Sequence, residues 1–130
     1  MKAKQYAPAI AVIGTVYISS ADADGCKMPS GKTWVNELGS TMTVTVDTKG
    51  AFSGTYSTAV GCGAGIERPM TGFCNGYAVT FSVNWQECGA TNAWSGTYDN
   101  GELKTLWHLV KAEKPAWSSI LAGTNTFKPQ

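Results

Sequence analysis

Trp85, Trp94 and Trp107 stand in a 130-residue chain among Asn36, Tyr56, Thr58, Asn92 and Asn125, all within segments that alternate apolar and polar residues. Side chains switch faces at every residue of a strand, so Trp34 shares a face with Asn36, and Tyr56 with Gly54 and Thr58. The same rule groups Phe81, Val83 and Trp85; Asn92 and Trp94; Thr105, Trp107 and Leu109; and Gly123, Asn125 and Phe127. A buried amide or hydroxyl without a partner costs roughly 1–3 kcal/mol, so a filled core would use Val, Ile and Leu at such positions. Aromatic walls carrying a few hydrogen-bonding groups are instead what a small buried ligand requires.

Catalysis finds little footing in these residues. The single histidine, His108, falls on the outward face of its strand, and Asp99 and Glu102 flank a turn. No nucleophile, base and orienting group can be brought together. The four cysteines, Cys26, Cys62, Cys74 and Cys88, contain no C-x-x-C spacing, and with one histidine they make a poor zinc site. An even count in a small exported chain argues for disulfides, with three pairings open.

Export is itself an expectation from the N-terminus. Lys2 and Lys4 precede the apolar run APAIAVIGTVYI, and Ala21-Asp22-Ala23 offers an A-x-A cleavage site, so residues 1–23 are expected to be a secretory signal peptide. The run is shorter than the ~20 apolar residues that span a bilayer. Residues 24–130 then form one domain, secreted or periplasmic, with no linker or low-complexity tract to suggest a second. Removing Lys2, Lys4 and Asp22 from ten bases and nine acids leaves eight of each. Nucleic acid and anionic membranes, which need a basic surface, are poor partners for so balanced a chain.

The elements that must carry the pocket are strands throughout. Gly31 to Gly61 supplies three short strands, the second around Met42, Val44 and Val46, with a turn at Asp47-Thr48-Lys49-Gly50 and the third from Phe52 to about Thr58. Further strands are expected at Arg68–Phe73, Tyr77–Gln86, Asn92–Tyr98, Leu103–Val110 and Ala122–Lys128. Asn75-Gly76 and Asp99-Asn100-Gly101 are hairpin turns, Cys88 to Thr91 is a loop, and Pro115 to Ile120 is a single helical turn. Eight strands without a helical crossover favour an all-β fold, an eight-stranded antiparallel up-and-down barrel whose closure removes both edges. Phe52-Ser-Gly-Thr-Tyr56 recurs as Trp94-Ser-Gly-Thr-Tyr98, and mid-strand glycine admits the close backbone approach that barrel walls need. Leu106, His108 and Val110 face outward where no helix covers them, which points to a second subunit.

The segments GKTWVNELGS, SGTYSTAVG, FSVNWQ, WSGTY, LKTLWHL, AWSSILAG and NTF together resemble the avidin and streptavidin family, in order and over essentially all of residues 24–130. The resemblance implies non-catalytic, high-affinity binding of biotin, with no cofactor and no metal. It implies that Asn36, Ser40 and Tyr56 donate to the ureido oxygen, that Thr58 and Asn125 accept from the two ureido N–H groups, and that Trp85, Trp94 and Trp107 enclose the rings. Trp117 matches the tryptophan lent by a neighbouring subunit, so a homo-oligomer follows, a tetramer in preference to a dimer. A lipocalin-like carrier or secreted lectin-type binder is the alternative use of such a barrel, though a carrier of long apolar molecules would place fewer Asn and Tyr inward.

Departures from the family pattern gather at the mouth. Ala90 stands where a Ser or Thr contacts the ligand carboxylate, Asn92 where a Thr is usual near the ring sulfur, and Asn125 is the avidin-like amide. Ureido recognition is expected to persist with weaker tail contacts, the backbone N–H groups of Gly61, Cys62, Gly63 and Ala64 holding the carboxylate. With loops after odd strands at one end and after even strands at the other, Cys62 and Cys88 meet at the mouth, as in the bacterial avidins that this chain resembles. Cys26 and Cys74 meet at the closed end.

Overall fold

Alternation governs the computed structural model, which describes residues 25–113 and 116–130. Along β5, Ala78–Trp85, the odd-numbered Val79, Phe81, Val83 and Trp85 are buried, and every residue between them is exposed. β1 (Lys32–Asn36), β2 (Thr41–Val46), β3 (Ala51–Ser57), β4 (Arg68–Asn75), β6 (Ala90–Asp99), β7 (Glu102–Lys111) and β8 (Ile120–Pro129) complete the set. Each pairs antiparallel with the next, and β1 closes on β8 through Trp34 opposite Pro129, Val35 opposite Lys128 and Asn36 opposite Phe127. The fold is thus a closed eight-stranded up-and-down barrel with no free edge. The proposed signal segment, residues 1–23, lies outside the described residues.

Several element bounds differ from the sequence reading, for local reasons. The β4–β5 hairpin turns at Gly76 and Tyr77, because Asn75 still pairs with Ala78. Ala90 already pairs with Lys111 in β6, so the expected loop from Cys88 to Thr91 contracts to a 3-10 turn, Gln86–Cys88, and Gly89 in the left-handed region. The strands extend beyond their apolar stretches because each neighbour supplies hydrogen-bond partners past the buried face. The helical turn near the C-terminus is a 3-10 turn at Trp117–Ser119.

Close wall-to-wall approach explains the mid-strand glycines. A Cβ at Gly54 would stand 1.8 Å from the Thr43 carbonyl oxygen, and one at Gly96 2.0 Å from that of Lys104. Gly72, which no repeat marks in the sequence, meets the same constraint against Thr80. The core fills with Trp34, Met42, Val44, Phe52, Val79, Phe81, Leu103 and Phe127. Phe52 stacks on Phe81 at 5.3 Å, and Met28, ahead of β1, is buried with them.

Two disulfides staple the barrel, Cys26–Cys74 and Cys62–Cys88. The first sits beside the β4–β5 hairpin, where Cys26 bridges Gly76, and the second joins the β3–β4 loop to the turn after β5. These are opposite ends of the barrel, so one staple secures its base and the other its mouth.

Candidate binding site

A cavity of about 490 Å³ opens at the end that bears the Cys62–Cys88 bridge. Asn36, Ser40, Tyr56, Thr58, Trp85, Asn92, Trp94, Trp107 and Asn125 all line it. Alternation on six strands points seven of them inward, Ser40 stands just before β2 and Thr58 just after β3, and closure brings those strands around one space. Gly61, Cys62, Cys88 and Ala90 also line it, whereas Gly63 and Ala64 do not. Trp117 stands apart, 83% exposed on the 3-10 turn before β8. Leu109, already placed on the inward face with Trp107, lines the cavity too, and Leu38, Val60, Lys111, Glu113 and Leu121, which sequence reasoning did not single out, complete the rim and upper wall. Lys111 and Glu113 continue the inward phase of Trp107 and Leu109, the one sequence signal that could have found them.

Local hydrogen bonds settle which polar groups can give and which can receive. The Asn36 Oδ1 accepts from the backbone N–H of Leu38 and of Ser40, both at 3.0 Å, which commits that oxygen and leaves the Nδ2 as the donor. Ser40 Oγ accepts from the Ala59 N–H at 3.0 Å, so its own proton is free to point elsewhere, and Thr58 Oγ1 lies 3.5 Å away. Thr58 Oγ1 donates to the Val60 carbonyl at 2.9 Å and accepts from the Val60 N–H at 3.3 Å, which leaves one lone pair as its remaining capacity. Burial pushes the Tyr56 phenol up to about 12, with the charge of Glu37 adding to the rise and hydrogen bonds to Ser40 and Asn36 opposing it. Tyr56 therefore remains a donor throughout the physiological range.

On the far wall, Asn125 Oδ1 accepts from Trp94 Nε1 at 3.0 Å, and its Nδ2 donates to Glu37 at 2.8 Å. The cavity thus faces three donors, from Asn36, Ser40 and Tyr56, with two acceptors, Thr58 and Asn125, beside them. That pattern complements a flat group with one carbonyl and two N–H bonds.

The aromatic walls are braced from behind. Trp94 lies between Tyr56 and Phe81, with ring centroids 4.8 Å from each. Trp85 meets Tyr56 edge-on at 5.8 Å, and the Arg68 guanidinium sits 5.5 Å from its ring centroid. Arg68 is buried, and its two terminal nitrogens pair fork-to-fork with both carboxylate oxygens of the half-exposed Glu87, while its Nε has no partner among the described residues. Trp107 rests on Gly123, where an added Cβ would approach its ring to 2.6 Å. Among the described residues no group of three or more His, Cys, Asp or Glu could hold a metal ion.

Comparison with known proteins places the chain and its barrel in one group. The family model described as "Avidin family" matches residues 23–130. Avidin of Gallus gallus is 33% identical over 111 residues, covering 72% of this chain and 73% of that protein. A solved complex of a shwanavidin variant with biotin is 31% identical with a TM-score of 0.73, over 80% of this chain and 98% of the other. The rhizavidin–biotin complex is 32% identical with a TM-score of 0.69, over 76% and 98%.

Proposed function

The chain belongs to the avidin family, and from that premise we propose that it binds biotin tightly in the open end of its barrel and performs no reaction on it. The observation that carries this reading is the polarity of the cavity wall: three donors and two acceptors match the ureido group of biotin atom for atom. Three donors on one carbonyl oxygen draw negative charge onto it, and the two N–H groups become correspondingly better donors to Thr58 and Asn125. Trp85, Trp94 and Trp107 enclose the bicyclic rings and exclude water, and Asn92 lies near the ring sulfur. The backbone around Gly61 and Cys62, within reach of the ligand tail, takes its carboxylate, with Ala90 supplying no hydroxyl.

A site whose hydrogen bonds are arranged before the ligand arrives avoids most of the ordering cost of association. The mouth disulfide serves the same end by holding the β3–β4 loop in place. The protein acts as a homo-oligomer, a tetramer in preference to a dimer, in which Trp117 closes the site of a neighbouring subunit. Its own exposure and that of Leu106, Val110 and Leu121 support this assembly. Two disulfides agree with a secreted or periplasmic protein that loses residues 1–23 on export.

Thermal unfolding with and without biotin tests the function directly. A ligand at about 100 times its dissociation constant adds about 2.7 kcal/mol to native stability, so a small excess of biotin must raise Tm by several degrees. An unchanged Tm at every biotin concentration would overturn the reading.

A further inference from the structure

Asn125 is held from two sides by groups whose chemistry leaves no ambiguity about its orientation. The Trp94 indole can only donate, so the atom it meets at 3.0 Å must be Oδ1. An ionised carboxylate can only accept, so the atom that meets Glu37 at 2.8 Å must be Nδ2. Glu37 follows the last residue of β1 and does not line the cavity, although Asn36 and Leu38 on either side of it do. Its other oxygen accepts from the Thr126 N–H at 3.0 Å. The β1–β8 ladder stops at Asn36 opposite Phe127, so the Glu37 side chain replaces the next backbone acceptor along the seam.

We propose that Glu37 is a positioning residue for ligand binding: its carboxylate holds the Asn125 amide and polarises it, making Oδ1 a stronger acceptor for the ureido N–H. The inference rests on the biotin reading above. Hydrogen bonds in a chain strengthen one another, and a carboxylate behind an amide N–H pushes electron density toward the amide oxygen. Oδ1 has two lone pairs, one engaged by Trp94 and the second left for the ligand. Although burial works against it, the Thr126 N–H and the Asn125 amide hold the Glu37 carboxyl below its ordinary value, so it is ionised at neutral pH. The neutral amide thus acts with a full negative charge one residue removed, at the point where the barrel closes.

A double-mutant cycle with biotin, using Glu37→Gln in the wild-type and the Asn125→Ala backgrounds, tests the coupling. Glutamine keeps the shape but offers one acceptor where two are needed. The expected result is a loss of about ten-fold in affinity in the wild-type background. In the Asn125→Ala background the same change should alter affinity by less than about two-fold. Equal losses in both backgrounds, or no loss in the first, would overturn the proposal. A second readout needs no ligand: the Asn125 side-chain NH2 resonances should move in Glu37→Gln and be partly restored in Glu37→Asp. Unmoved resonances would remove Glu37 from its role even if biotin binds. Failure of the wild-type chain to bind biotin would overturn the functional reading, and the resonances would still decide whether Glu37 holds the amide.

Discussion

Tyr56 shows how much a single side chain can be asked to do. Its ring packs against Trp94 and Trp85 while its hydroxyl, held protonated by burial, faces the cavity. Tyr56→Phe keeps the packing and removes one donor. Biotin affinity should fall ten- to a hundred-fold, the span of about 1–3 kcal/mol, with Tm of the ligand-free protein nearly unaltered, as competition binding and calorimetry would report. Glu87 makes a different prediction at the same scale. The Arg68 hydrogen bonds carry its carboxyl from an ordinary 4.5 down to about 2. A carboxyl depressed on folding contributes stability that is complete above pH 4.5 and is lost as pH falls through about 2. Glu87→Gln should therefore flatten the acid limb of the stability curve over that interval, and equal slopes for both proteins in acid titrations would contradict the account. Asn36, Tyr56 and Asn125 were legible as inward polar residues because period two is a local property. Whether each would give or receive a hydrogen bond came only from the family resemblance and not from alternation, because it depends on which partners the fold brings to the other end of the group.

At the scale of elements, the mouth staple invites the clearest test. Cys62–Cys88 links residues 26 apart in the chain, a loop whose constraint is worth about 3.5 kcal/mol in the chain-entropy account. Replacing both cysteines by serine should lower stability by roughly that amount. It should also speed biotin release more than it slows capture, because the β3–β4 loop loses its tether over the ligand tail; stopped-flow rates separate the two. The strands themselves were readable from alternation, and the turn at Asn100-Gly101 from its residues, both with positive φ. Strand ends were not. Ala90 enters β6 because Trp85 and Lys111 flank it on either side, and Asn75 stays in β4 because Ala78 lies opposite. Pairing across the ladder sets such limits, and alternation along a single segment does not carry it.

For the whole molecule, Trp117 carries the prediction. An indole 83% exposed on a short turn has little packing to lose among the described residues. Trp117→Ala should leave the melting of the isolated barrel unchanged while weakening biotin binding in the proposed oligomer, and light scattering beside dissociation rates would show both. Unaltered release from an intact oligomer would mean that no neighbour uses it.

The sequence by itself determined the strand count, the inward faces, the pocket's aromatic and polar makeup and the family likeness, because alternation and turn chemistry are written in adjacent residues. The physical cause of the site's polarity, which the resemblance implies and alternation does not carry, lies in tertiary contacts. Glu37 and Asn125 are 88 residues apart and meet only because β1 closes on β8, and that closure turns an ambiguous amide into an acceptor.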